Sequence, residues 1–548
     1  MTVTIDGESL SIGSIAAVAA GERVEVSREA AVVERLRRSH RTLRRAVESG
    51  QQIYGVTTLF GGMADKYVGP EQLVDVQRLA LWQHKSTTGP RLTELEVRAA
   101  MLLRANSLVK GASGVRPEII ARYVAFLNGR ATPHVYRRGS IGASGDLVPL
   151  SYIGASVLGL DPAFKVDMDG ETLDCHTALA RLGLEPLMPQ AKEGLALNNG
   201  TGACTAVAAG NLARAHSLVS LSLACNALYA QAMLSTDQSF AAFIHAVKPH
   251  PGQVWTAGRM AELVAGSRVI RSEAAGERGH RIGKLVQDRY SLRCLPQFVG
   301  PIIDALAVST RQVTVEANCA NDNPLIDPDS GEIFHTGNFL AQYTGVAMDS
   351  LRLMIGLMTK HLDTQIALMI TPEFSYGLNP SLAGNMEGAV NVGFKSMHIG
   401  CNQMMTHIQY LGQPVIDRFP THAEQFNQNI NSQAMNAANL AREQLDLLEH
   451  YLAAAAITGV QAVELRARLT TGSFDARTIL SPATVPLYEA VRTAAKGAPD
   501  AASPLLLNDF DGFIQDMVEG VLASIAGRGA VIAAVAPIEK ALAEFTGA

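Results

Sequence analysis

The chain has 548 residues, 47% of them hydrophobic and 18% charged, so it can bury a large core. Lys and Arg number 46 against 51 Asp and Glu, a net charge of -5, which argues against a nucleic-acid binder and leaves no like-charge tail. A small-molecule substrate is the expectation.

In chain order, the opening "MTVTIDGESLSIGS" has no basic segment followed by an apolar run. A cytoplasmic protein is therefore expected, with strand character in its first dozen residues. "IYGVTTLFGGM" from Ile53 is a glycine-rich loop, and "ELEVRAAMLLRANSLVK" from Glu94 has apolar residues at helical spacing. "HVYRRGSI" from His134 is a strand candidate, followed by two more glycine-rich loops, "GSIGASGD" from Gly139 and "LALNNGTGA" from Leu195. Three long segments, starting at Thr205, Gly345 and Ser432, read as helices apolar on most faces, as helices inside a bundle or between subunits are. "YLAAAAITGVQAV" from Tyr451 is too short and alanine-rich to span a bilayer. The expected fold class is mainly α. An N-terminal region over 1–200 carries the glycine-rich loops, a central long-helix bundle covers 201–480, and a helical appendage covers 481–548.

Cys175, Cys204, Cys225, Cys294, Cys319 and Cys401 show no CxxC spacing, and the histidines form no HExxH motif. Reduced thiols and no metal cofactor are expected.

Ala-Ser-Gly occurs twice, in "VKGASGVRPE" and in "SIGASGDLVPLS". Chance alone gives roughly a few tenths of a copy in a chain this long, so context must decide. In the first, Gly111 suits the end of one helix and Ser113 the cap of the next, with Pro117 and Glu118 in its first turn. No chemistry is needed there. In the second, Gly139, Gly142 and Gly145 surround the tripeptide, and a helix starts just after it. Attack of the Gly145 amide nitrogen on the Ala143 carbonyl would close a five-membered ring, since glycine has no Cβ to resist the compression. Loss of water and dehydration of Ser144 would leave an electrophilic methylidene carbon. The adjacent helix N-terminus favours negative charge on such a ring.

"GSIGASGDLVPLSYIG" resembles the signature of the aromatic amino acid ammonia-lyases and aminomutases. The resemblance runs from about Ile53 to Val463 through "IYGVTT", "KEGLALNNGT", "QDRYSLRCLPQ", "NPLIDPDSGEIFHTGNF" and "DRFPTHAEQFNQNINSQ". The pattern looks most like bacterial and cyanobacterial phenylalanine ammonia-lyases, without the long C-terminal insertion of the plant enzymes. It implies the helical fold of the histidine and phenylalanine ammonia-lyases and β-elimination of ammonia from an L-arylalanine. It also implies a 4-methylidene-imidazol-5-one formed autocatalytically from Ala143, Ser144 and Gly145, with no metal or nucleotide. The implied assembly is a homotetramer with active sites shared between subunits.

The same resemblance assigns roles. Tyr54 takes the β-hydrogen, although a phenol of ordinary pKa about 10 needs a cation or a helix end to become a useful base. Asn199 donates to the ring oxygen. Tyr290 assists with protons, and Arg293, three residues on and on the same helix face, clamps the substrate carboxylate with Gln287 alongside. Asn338 helps hold that carboxylate, Phe339 packs near the ring, and Lys395 and Glu424 match a buried pair of the phenylalanine lyases.

"ALWQHKSTTG" departs from the phenylalanine-specific pattern, because Gln83 and His84 stand where those relatives carry Phe and Leu. Two polar groups against a bare phenyl ring would each lose water for nothing, costing about 1–3 kcal/mol apiece. A phenol or catechol would satisfy them. Gln428 stands where histidine-cleaving relatives have a carboxylate, which speaks against histidine. The expected substrate is tyrosine or 3,4-dihydroxyphenylalanine, giving the trans-arylacrylate. The alternatives are phenylalanine, a 2,3-aminomutase, and a catalytically dead helical scaffold. The aminomutase is suggested by Leu59 replacing a loop glycine, which should stiffen the loop carrying Tyr54.

Overall fold

A computed structural model of the protein describes residues 2–271, 287–387 and 390–548. In chain order, the helices that frame the site are α1 (Leu73–Trp82), α2 (Glu94–Val109), α3 (Pro117–Asn128), α4 (Leu147–Leu158), α5 (Glu193–Asn198) and α6 (Gly202–Ala232). They continue as α7 (Tyr290–Arg293), α8 (Leu295–Ala317), α9 (Gln342–Ile370), α10 (Lys395–Leu411) and α11 (Ala434–Thr471). The helices α12 (Val485–Ala495), α13 (Ile514–Ala526) and α14 (Ala536–Thr546) follow the bundle. The fold is mainly α, as the sequence predicts.

The centre is built on α6 and α11, of 31 and 38 residues; α6 buries nearly all its side chains and α11 most of its own. A helix apolar all round has to be enclosed by others, and α2, α9 and α8 pack around this pair. Contact between the two is close. A β-carbon on Gly459 would lie 2.9 Å from Cε1 of Tyr229, whose hydroxyl donates to the Ala455 carbonyl at 2.7 Å. Asn211 of α6 donates to the Ala438 carbonyl of α11 at 2.8 Å. One hydrophobic cluster extends from Ile5 to Leu542. Among the described residues no helix is long and apolar enough to cross a membrane.

Strands are few: β1 (Thr2–Ile5) pairs in parallel with β2 (Arg23–Val26), as the opening residues suggest. The three-stranded sheet of β3 (Thr132–Pro133), β4 (Lys165–Met168) and β5 (Glu171–Asp174) is antiparallel, and β6 (Leu325–Ile326) pairs with β7 (Ile333–Phe334). "HVYRRGSI" is not a strand. It holds only an isolated bridge between Tyr136 and Arg91, and its chain turns at Gly139, where φ is +104°.

The first Ala-Ser-Gly is the helix junction expected, with one correction. Gly111 follows α2 at φ +74°, but Arg116 is the residue that precedes α3, and the buried Ser113 hydroxyl has no partner.

Candidate active site

The loops around Gly139 and Leu195 meet at the N-terminus of α6. Its exposed amides need acceptors, and the chain supplies one from the residue after the second Ala-Ser-Gly. The buried Asp146 carboxylate accepts from the Cys204 amide at 2.7 Å and from the Ser140 hydroxyl at 2.8 Å, while the Asp146 amide donates to Gly200 O at 2.7 Å. Burial raises the Asp146 pKa, and these donors oppose the shift. The sequence reading missed Asp146, although it directly follows the tripeptide.

Gly145 and Gly200 are paired in an isolated parallel bridge. Gly145 has φ +72°, and a β-carbon there would lie 2.0 Å from Gly200 O, so no other residue fits. Gly142, at φ +65°, is fixed from α11's approach, where the Ser432 hydroxyl donates to its carbonyl at 2.9 Å. Asn199 Nδ2 donates to the Ser144 carbonyl at 3.1 Å, and its Oδ1 is buried without a partner. Gln428 Nε2 donates to the Ser144 hydroxyl at 3.0 Å.

The two Ala-Ser-Gly copies differ in what their amides do. In the first, Gly114 N–H donates to Ser39 Oγ at 3.0 Å, and the Ala112 carbonyl accepts from Ile326 N at 2.8 Å. In the second, the Gly145 N–H and the Ala143 carbonyl have no hydrogen-bond partner among the described residues. These are the nitrogen and the carbonyl that ring closure would join. The surroundings of Ser144 thus fit an imidazolone, with a donor already on the oxygen the ring would keep.

Tyr54 faces the same place. Its hydroxyl accepts from Gly61 N at 2.9 Å, and its own N–H donates to His335 Nε2 at 3.2 Å. The loop is tied to α1 and α5 by the buried Gln77, whose Nε2 donates to Gly55 O at 2.9 Å and whose Oε1 accepts from Leu195 N at 3.2 Å. Glu424 packs where a β-carbon on Gly61 would be, and it bonds the Gln428 side chain. Burial pushes the Tyr54 phenol above its ordinary pKa; the Gly61 amide opposes this and Glu424 adds to it. The expected lowering is absent among the described residues. Leu59 lies outside the left-handed region, so a side chain is accommodated there without backbone strain.

Asn338 reaches the neighbourhood through Ala320, to whose carbonyl it donates at 3.4 Å, next to Asn321, which accepts from Thr201 N at 3.4 Å. Phe339 follows it, half-buried. Near the C-terminal end of α1, the Ala80 carbonyl accepts from Asn198 Nδ2 at 2.7 Å, so the helix that ends just before Gln83 and His84 packs against the residue preceding Asn199. Gln83 is exposed. His84 is half-buried, burial lowers its pKa to about 4, and its ring has no hydrogen-bond partner among the described residues.

Four expected residues, Gln287, Tyr290, Arg293 and Lys395, lie elsewhere in the chain. Arg293 stacks its guanidinium over the Tyr290 ring at 4.8 Å and donates to Gln287 at 2.9 Å. Gln287 precedes α7, so it meets Arg293 from the preceding segment and does not share its helical face. This turn is docked on α9, where His361 and Gln365 both bond the Ser291 carbonyl. The Ser144 end of α9 is marked by Thr344, bonded to Thr205, seventeen residues and about 25 Å of helix away. Lys395 is exposed at the start of α10, which runs beside that distant half of α9 through the Asn402–Asp363 bond, so the expected buried pair with Glu424 does not form within the chain.

Glycine-rich loops thus gather at one end of a helical bundle, with a tyrosine and an amide donor near the Ala-Ser-Gly, an arrangement that fits a carbon–nitrogen lyase. The family model described as aromatic amino acid lyase matches residues 10–493, and the chain belongs to that family. It is 65% identical over 546 residues to the aromatic ammonia-lyase of Loktanella atrilutea, covering 100% of each chain. It is 48% identical to the phenylalanine ammonia-lyase of Nostoc punctiforme, over 98% of this chain and 95% of that one. The structure of tyrosine aminomutase from Streptomyces globisporus superposes with a TM-score of 0.87 at 30% identity, covering 98% of this chain and 99% of that one.

Proposed function

We propose that this ammonia-lyase eliminates ammonia from a ring-hydroxylated L-arylalanine, tyrosine or 3,4-dihydroxyphenylalanine, releasing the trans-arylacrylate. An imidazolone formed from Ala143, Ser144 and Gly145 would supply an electron-poor carbon for the substrate amine. Asn199 Nδ2 donates to the oxygen on which negative charge develops. Its partnerless Oδ1 is available to a substrate N–H. Tyr54 receives the β-proton from a fixed loop, and Gln428, bonded to both Ser144 and Glu424, links that loop's surroundings to the tripeptide. Asn338 orients the substrate carboxylate.

The observation that carries the substrate reading is His84. An uncharged imidazole without a partner is a hydrogen-bonding group held in reserve, and beside Gln83 it suits one hydroxyl or two adjacent ones. Sites built to bond a hydroxyl can reject the analogue that lacks it by up to about 10⁴ to 10⁵. Competing turnover of phenylalanine, tyrosine, 3,4-dihydroxyphenylalanine and histidine tests this. The hydroxylated substrates should have the higher kcat/KM, and a clear win for phenylalanine would overturn it. Release of free arylacrylate separates the lyase from the aminomutase, whose product is a β-amino acid.

The site is proposed to be completed by a second copy of the chain within a homotetramer. The distance of α7 from Ser144 supports this, as does the absence, among the described residues, of any cation lowering Tyr54. Exposed Tyr343, Leu353, Ile399 and Tyr410 on α9 and α10 fit burial between copies.

A further inference from the structure

Around Tyr54 the amides are held almost wholly from one side. Ile53 N–H donates to Thr57 Oγ1 at 2.9 Å, Gly55 N–H to Thr58 Oγ1 at 3.1 Å, and Val56 and Thr57 N–H to the Ile53 carbonyl. The exception is Tyr54 itself, whose N–H crosses to His335, 281 residues away in sequence, at 3.2 Å. His335 belongs to "FHTGNF", three residues before Asn338. Its loop is fixed by Thr336 N donating to Asn323 Oδ1 at 2.7 Å and by the Thr336 hydroxyl bonding Asn338 Oδ1 at 3.0 Å.

We propose that His335 is a positioning residue and a proton-controlled latch, holding the Tyr54 loop to the wall that carries Asn338. The bond fixes the tautomer. Nε2 accepts, so the ring is neutral with its hydrogen on Nδ1. Protonation places a hydrogen on Nε2, where it opposes the Tyr54 N–H, and the bond is lost. Besides Tyr54, which it binds, the charged and titratable groups of the adjoining elements are Glu424 against Gly61 of the Tyr54 loop, Glu332 and Asp327 in the β6–β7 hairpin that precedes it, and the Asp322–Lys192 pair next to Asn323. The latch therefore holds while Nε2 keeps its lone pair for the Tyr54 N–H and opens when that nitrogen is protonated. Because one loop carries the proposed base and the other the proposed carboxylate contact, substrate held at Asn338 also steadies Tyr54. That catalytic consequence rests on the function proposed above, whereas the latch itself does not.

Hydrogen–deuterium exchange of the peptide containing Tyr54, corrected for intrinsic rate and compared at pH 7.5 and 5.5, tests the latch independently of turnover. The α11 peptides serve as a control for global folding. In the native protein, protection of Tyr54 should fall about five- to tenfold at the lower pH, the worth of one lost hydrogen bond. His335→Ala should be unprotected at both values. His335→Gln, whose amide oxygen can still accept, should keep neutral-pH protection and lose the pH dependence. Equal protection in all three proteins, or an undiminished pH effect in His335→Gln, would overturn the latch. If the latch holds while His335→Ala keeps native kcat and KM, the failure lies in the role given to Tyr54.

Discussion

His84 is held neutral, its pKa lowered to about 4 by burial, so the preference for a ring hydroxyl should not change between pH 6 and 9. Replacing the pair as Gln83→Phe with His84→Leu removes two polar groups and should move the tyrosine-to-phenylalanine ratio of kcat/KM toward phenylalanine by roughly 10² or more. An unchanged ratio would place the hydroxyl contact elsewhere. Gly145→Ala tests the other end of the cavity, because its β-carbon would meet Gly200 O at 2.0 Å. The variant should be inactive and keep the full encoded mass. At this scale the sequence is informative where the family resemblance already assigns each residue its role, as with Ser144 and Asn199. Asp146 and His335 lie within quoted motifs, "SIGASGD" and "FHTGNF", yet their partners at Cys204 and Tyr54 are far along the chain. Spacing cannot reveal such contacts.

Among the elements, the α6–α11 contact offers the sharpest test of packing. Gly459→Val would drive a branched side chain into the Tyr229 ring, and in a tightly packed core this costs about 1–3 kcal/mol. Thermal unfolding should show a lower midpoint, whereas an unchanged one would mean that the pair can separate freely. The long helices are legible because apolar residues on every face leave no other reading. The short elements are not. The hairpin of β4 and β5 turns at Asp169 and Gly170, both at positive φ, but four-residue strands carry too little periodicity to stand out. "HVYRRGSI" alternates enough to mislead, and Ser113 has a cap's chemistry one turn too early.

For the whole molecule, the separation of Tyr54 from Arg293 predicts complementation. Tyr54→Phe and Arg293→Met should each be inactive alone, while co-expressed chains should recover activity in mixed tetramers; no recovery would mean that each site is built from one chain. Stability should also fall in acid. Unfolded histidines protonate near 6.5, whereas burial holds His84 and His361 to about 4, so between these values the unfolded chain binds more protons and stability drops as pH falls. Urea midpoints at pH 7 and 5 check the sign, and His361→Gln should shrink the difference. The separation of Arg293 from Tyr54 within one chain is hidden from the spacing of the sequence, in which both look equally ready for one cavity. The central claim, that Ala143, Ser144 and Gly145 condense unaided, is tested most directly by the intact mass of freshly purified protein with peptide mapping of that segment. The account predicts a chain lighter than its encoded mass by two molecules of water, with the loss mapped to those residues and absent in Ser144→Ala. A fully active protein carrying its complete encoded mass would contradict it.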